Sequence, residues 1–415
     1  MTGRATVRAA ARQPSAATPI AARPGLTRRS APLPGRKLLA RLALAVAALG
    51  GWGAHPASAE PTFLSKQYPR CTACHYSAAG GGLLTPYGRS LSREEISTFG
   101  RQGTSGVPSA GSTAGEEGFL FGALSSESPL QLGLDVRPSH LDVDLPGRAI
   151  ADRNFLMNLD LQAAWRRDGW TAYGTVGRSP SRGGGELVSY EHWVAWQVAD
   201  AVSVRGGRFL PAYGVRFADH TSFTRARLDL AQDGQVYGIE LGVSTDRTLL
   251  QVSAGPGRAE SLIADDGRQA FTTTARLQLD LSPRTVLVAS TLHRGTSETA
   301  PRSTGTGLSL GYAPAPWLTT WTHADVQFQQ LDASGRAYIL ANQTSVEALR
   351  GVWLRISPQW RWTDTDPRSE TRRMVYGLDF YPRTHWHVNL SYYRDRRPFA
   401  DRSSRTLLAQ LHLYL

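Results

Sequence analysis

The feature that most constrains this chain is how its connections sort by length. From about residue 118 to residue 415 the sequence alternates with a period of two: Leu130, Leu132, Leu134 and Val136 share one face, with Gln131, Gly133 and Asp135 on the other. Phe155, Met157, Leu159, Leu161, Ala163 and Trp165 repeat the pattern, as do Met374 to Phe380 and Trp386 to Tyr392. Such segments read as strands with one apolar and one polar face. Seven tight connections, near 166–169, 199–201, 244–247, 282–285, 313–316, 350 and 381–384, interleave with eight longer polar ones, the longest at 210–234. Fifteen connections join sixteen strands, most near the ~9–11 residues of a tilted membrane strand. A soluble sandwich has no reason to sort its loops in this way, whereas a membrane barrel keeps short turns on one side and long loops on the other. The last strand alternates through Leu407, Ala409, Leu411, Leu413 and Leu415, although a terminal aromatic is absent. The expectation is an all-β, outer-membrane antiparallel β-barrel of about sixteen strands over 118–415, with the lipid of that membrane around it.

Ahead of the barrel the composition changes twice. Residues 1–59 hold nine Arg or Lys and no Asp or Glu, an apolar run over Leu38 to Ala54, and the small residues Ala57, Ser58 and Ala59, which together read as a signal peptide. Removing nine positive charges from a formal net charge of +12 leaves +3, so the high pI is a property of the leader, and no nucleic-acid partner is expected. Residues 101–117 form a Gly/Ser-rich linker without periodicity. Between them lies a segment of about forty residues, 60–100, too small to bury a large prosthetic group alone. Its one helix signal is Ser92 with Glu95, a capping box ahead of Ile96 and Phe99.

That segment contains both cysteines of the chain, in Cys71, Thr72, Ala73, Cys74 and His75. A bare C-x-x-C is compatible with a disulfide, a redox pair or half a zinc site. The adjacent histidine decides: two thiols at this spacing add to the two vinyl groups of one haem, and the following imidazole takes the iron as proximal ligand. A zinc site would need two more ligands at suitable spacing, and a thioredoxin-like site a βαβ pattern around it. The reading is one covalent haem c on Cys71 and Cys74, with His75 on the iron.

With the stretch Leu84 to Arg89 (LTPYGR) and the carboxy-terminal barrel, this arrangement resembles the fused monohaem cytochrome c–porins, whose best-known members are outer-membrane iron oxidases. The resemblance implies that residues 60–100 plug the barrel, and that electrons pass from an extracellular donor, Fe(II) among the candidates, to periplasmic carriers such as soluble cytochromes c. It implies periplasmic amino and carboxy termini and, if the donor is turned over, an oxidoreductase. The run Gly80 to Gly82 departs from the family pattern. Two other readings stay open: a porin-like channel whose haem plug senses or gates, and a haem enzyme such as a peroxidase.

The second axial ligand is less constrained. Met157 and Met374, the only methionines after the leader, fall on apolar strand faces, which points them at lipid. The sixth ligand is then either absent, leaving an open position for small ligands, or borrowed from a barrel histidine: His220 in the long third connection first, then His140 and His387. The third connection, with Arg216, Asp219, Arg225 and Arg227 beside His220, reads as a solvated external loop in preference to one folded inward. Trp353, Trp360, Trp362 and Trp386 read as interface-belt anchors.

Overall fold

The computed structural model describes residues 61–99, 128–146, 151–178, 187–219, 221–226, 234–257, 271–295, 302–329, 335–398 and 400–415. The leader 1–59, the linker 101–117 and His220 lie outside the described residues. The strands are β1 (Leu130–Asp144), β2 (Ala151–Arg167), β3 (Trp170–Arg178), β4 (Leu187–Val188), β5 (His192–Ala199), β6 (Val202–Phe209), β7 (Val236–Ser244), β8 (Thr248–Gly257) and β9 (Thr272–Ser282). They continue with β10 (Thr285–Arg294), β11 (Ser303–Ala315), β12 (Leu318–Gln329), β13 (Gly335–Leu349), β14 (Val352–Thr363), β15 (Thr371–Phe380), β16 (Trp386–Arg396) and β17 (Ser404–Tyr414). Each pairs antiparallel with its neighbours; β4 and β5 both pair with β3 and count as one stave, and β1 pairs with β17. The result is a closed antiparallel barrel of sixteen staves.

The short turns fall where the sequence places them. One of the two-residue turns joins β2 to β3 through Asp168 and Gly169, both at positive φ (50° and 79°), the requirement of a two-residue turn whose twist matches its strands. Strands of 15, 17 and 15 residues at β1, β2 and β13 exceed the expected membrane-crossing length, so the first long connection shrinks to 145–150.

Polarity is inverted relative to a soluble protein. Along β11, Leu308, Leu310 and Tyr312 are exposed while Ser309 is buried; along β14, Leu354 and Ile356 are exposed while Arg355, Ser357 and Gln359 are buried. An apolar exterior around a polar interior suits lipid outside and a lined lumen inside. Exposed Trp165, Trp170, Trp196, Trp317 and Trp386 girdle the short-turn end; Phe328 and Trp360 stand toward the other. No described helix is long and apolar enough to cross a membrane.

Four expectations are corrected. First, β1 and β2 shift register between Arg137 and Pro138: Arg137 pairs with Asn158 but Pro138 with Leu156, which leaves Met157 as the extra residue of a bulge. The bulge turns Met157 and Asn158 both inward, with Phe155 partly buried beside Met157, so Met157 does not face lipid. Second, Trp353 is 1 % exposed and packs with Phe63, Ile96 and Tyr381 inside the barrel; it is no belt anchor. Third, Ser92 caps no helix: the helix α1 (Pro86–Leu91) begins at Thr85 and runs into a wider π-type turn over Ser92–Ile96. Fourth, the third connection folds inward, with Leu210, Ala212, Tyr213, Val215 and Phe217 buried. Leu415 also turns in, its amide donating to the Leu134 carbonyl at 2.9 Å.

If the exterior is the lipid face, Leu308→Arg, at the middle of β11, costs about 2–4 kcal/mol of barrel stability. Refolding into lipid vesicles, followed by heat-modifiable gel mobility, measures it; an unchanged midpoint contradicts the assignment.

Candidate functional site

Residues 61–99 enter the lumen from the short-turn end and are bolted there by side chains on either side of the CTACH segment. Arg70, buried, donates to the Asp280 carboxylate at 2.8 Å, to Ser244 Oγ at 2.9 Å, and to the carbonyls of Thr245 and Asp246 at 2.7 and 3.0 Å. Arg89, 1 % exposed, donates to Gln131 Oε1 at 3.1 Å and to the Leu132 carbonyl at 2.7 Å on β1. Ser92 Oγ meets Tyr414 Oη of β17 at 2.8 Å, and the amides of Thr98 and Phe99 donate to Tyr381 and Pro382 carbonyls at 2.9 Å. Lys66 pairs with Glu347.

The CTACH segment is a single tight turn. A 3₁₀ helix over Cys71–Ala73 brings the Cys74 and His75 amides onto the Cys71 carbonyl at 3.2 and 3.0 Å, so both thiols and the imidazole leave one short stretch of backbone. Cys74 is buried and Cys71 partly so. Beyond it the chain doubles back: His75 bridges Leu84, and the Tyr76 amide donates to the Leu83 carbonyl at 3.1 Å.

The LTPYGR stretch is what holds this turn. Thr85 accepts from the Gly88 amide as helix cap, while its own hydroxyl donates to the Ala73 carbonyl at 2.7 Å and its amide to the Cys74 carbonyl at 2.8 Å. Pro86 occupies the first turn of the helix, where a missing N–H costs nothing. At Gly88 a Cβ would stand 2.4 Å from the Cys74 carbonyl oxygen, so only glycine lets α1 lie on the CTACH turn. Tyr87 meets Tyr68 edge-on, ring centroids 6.4 Å apart.

The loop tip explains the Gly80 to Gly82 run. All three residues have positive φ (80°, 74° and 67°), and added Cβ atoms would lie 3.1 Å from Cys71 Sγ, 3.1 Å from the Arg216 guanidinium and 2.6 Å from Tyr173 Oη. Arg216, on the inward-folded third connection, donates to the Gly80 carbonyl. That connection is itself tied across the lumen: Tyr213 Oη donates to Asp325 at 2.7 Å, and the Gly214 amide to Ser290 Oγ at 2.8 Å.

His75 sits at the junction of two cavities of about 190 and 130 Å³, which share His75, Gly81 and Gly82 with Asp135, Arg137, His387 and His412. Its Nδ1 is buried without a hydrogen-bond partner, while the backbone of Gly81 and Gly82 lies within hydrogen-bond reach of the ring. Burial, and then the Arg216 charge, push its pKa down to about 4, so the imidazole is neutral at ordinary pH. Two thiols on one turn, a neutral imidazole with an unsatisfied nitrogen, and a backbone partner for that ring fit the donor set that a covalent haem would need. Among the described residues no group of three or more His, Cys, Asp or Glu side chains is arranged to hold a bare metal ion.

Of the distal candidates, His140 stands next to Asn154 at 3.0 Å, near the long-loop end and off the lumen cavities, whereas His387 is buried and lines both. His412, on β17, also lines both; it sits on the wet side of the terminal strand, opposite the leucines that drew attention to that strand, and that placement was the available signal.

No protein-family model matches the sequence, and no curated protein matches it. Solved structures do. The chain is similar to the outer-membrane expressed OmpT of Vibrio cholerae at 8 % identity and TM-score 0.51, over 69 % of this chain and 97 % of that one. It is similar to OprB of Pseudomonas putida at 10 % identity and TM-score 0.52, over 69 % and 94 %. At such identities the likeness is one of fold: a closed barrel that matches those of outer-membrane porins.

If α1 clamps the CTACH turn, Gly88→Ala weakens docking of 61–99 by about 1–3 kcal/mol, the usual penalty of overpacking. Limited proteolysis of the folded protein reads this as faster cleavage within 61–99 with the barrel left intact; equal cleavage rates in both proteins sink the assignment.

Proposed function

We propose that the protein is an outer-membrane monohaem c-type cytochrome fused to a porin-like barrel, carrying electrons between an extracellular donor and periplasmic carriers. The observation that carries this reading is the placement of the CTACH turn. It stands inside the barrel lumen, locked by the LTPYGR helix and flanked by cavities that meet at His75. Once attached, the haem supplies a one-electron couple.

The chain's own residues do the rest. Cys71 and Cys74 hold the group by two thioethers, and His75 keeps its lone pair for the iron because burial and Arg216 disfavour protonation. Leu83, Leu84, Leu91 and Ile96 line the smaller cavity with apolar surface, and Arg137 and Arg216 offer cations to carboxylates at the rim of the larger. The plug from one end and the third connection from the wall narrow the bore, which favours passage of electrons over passage of solutes.

In this reading the short turns are periplasmic, so both the plug and Leu415 start from that side. A protease tag at 256–268 is then cut on whole cells, and one at 282–285 is protected; the reverse pattern overturns the orientation. The central test replaces both thiols. Cys71→Ala with Cys74→Ala gives a heat-modifiable barrel without covalent haem, while the unsubstituted protein stains for haem on a denaturing gel. Absence of stain from the unsubstituted protein removes the cytochrome reading.

A further inference from the structure

We propose that the barrel wall completes the iron's coordination through Met157, an inference that rests on the haem reading above. The bulge between β1 and β2 carries the argument. Alternation along β2 sends Leu159 and Leu161 outward and would send Met157 after them; the extra residue opposite Arg137 and Pro138 reverses it. A bulge interrupts the ladder and re-aims a side chain, and here it stands at Pro138, which has no amide to lose. The side chain so turned is 9 % exposed and lines the 190 Å³ cavity with Cys71 and His75.

The thioether is suitably prepared. Gln410 Nε2, on β17, donates to Met157 Sδ at 2.8 Å, which fixes the sulfur and engages one of its two lone pairs. The other remains for a soft ligand's bond to haem iron.

Two imidazoles compete for the role, and each has a carboxylate beside its Nε2, hydrogen-bonded at His387 and at ion-pair distance only at His412. His387 Nε2 lies 3.0 Å from Asp379, and the ring is stacked on Tyr381 at 4.4 Å between centroids with 7° between planes. His412 Nε2 lies 3.3 Å from Asp135. In both, Nε2 is turned toward a carboxylate. Met374, the other mature methionine, lies on β15 outside both cavities.

The experiment uses the full, haem-loaded protein in lipid. The ferric spectrum of the unsubstituted protein is expected to show the sulfur-to-iron charge-transfer band at the red end, with no carbon monoxide adduct in the ferrous state. Met157→Leu, which conserves volume, loses the band and gains carbon monoxide binding while keeping full covalent haem stain. Met157→His restores a low-spin spectrum without the band and at a lower potential, which a packing role for Met157 does not produce. His387→Gln, His412→Gln and Met374→Leu keep the band. A band that is absent from the unsubstituted protein, that survives Met157→Leu, or that is lost in one of the three comparison variants overturns Met157 as ligand. Those outcomes leave the haem stain intact; loss of stain from the unsubstituted protein instead removes the cytochrome reading itself.

Discussion

Everything in this structure depends on the pairing of β1 with β17. In hydrocarbon no water is present to satisfy a strand edge, and each unpaired backbone group costs several kcal/mol, so a sheet can cross a lipid layer only if its first and last strands meet. They meet here from Asp135 opposite Tyr414 to Asp144 opposite Arg405. Closure then assigns every side chain to one of two solvents. Leucines go outward and the Gln, Ser, Arg and Asp residues inward, and the polar lumen becomes a place where a segment of chain can be lodged.

What is lodged there has no core of its own. Leu64 is buried with Val286, Val288 and Trp321 of the wall and with Phe217 of the third connection. Leu83 packs with Tyr173, Trp193 and Phe209, and Phe63 and Ile96 with Trp353 and Tyr381. Forty residues bury too little surface to order themselves. The barrel and its inward connection supply the other half of each cluster, so the rigidity of the CTACH turn is borrowed from the wall.

The alternation made the barrel legible in sequence because a strand's two faces are a local property: Leu308 against Ser309 needs no knowledge of the partner strand. The compact CTACH turn was legible for a similar reason, since Cys71, Cys74 and His75 are near neighbours in the chain. What was hidden depends on partners far along the chain. Met157 faces inward because β1 slips by one residue at Pro138, and a slip in pairing leaves no mark in the periodicity of β2. Trp353 looked like a belt residue until Phe63 and Ile96 arrived beside it. The third connection did carry a signal: the apolar stretch from Phe209 to Phe217 is poorly suited to water, and the surrounding Arg and Asp residues masked it. At Gly80 to Gly82 the sequence departs from the resemblance, and there the left-handed backbone and the close approach of Cys71, Arg216 and Tyr173 supply the reason.

The plug's contacts fall heavily on the seam. Arg89 reaches Gln131 and Leu132 on β1, Ser92 reaches Tyr414 on β17, and Gly133 of β1 has no room for a Cβ between Leu83 of the plug and the Leu415 carbonyl. The two strands that shut the barrel are therefore also the floor on which the CTACH turn rests. Seating the plug and zipping the seam share one free energy, and by linkage each must strengthen the other. Whatever fills the cavities at His75 acts, from the middle of the molecule, as a clasp on its last hydrogen-bonded edge.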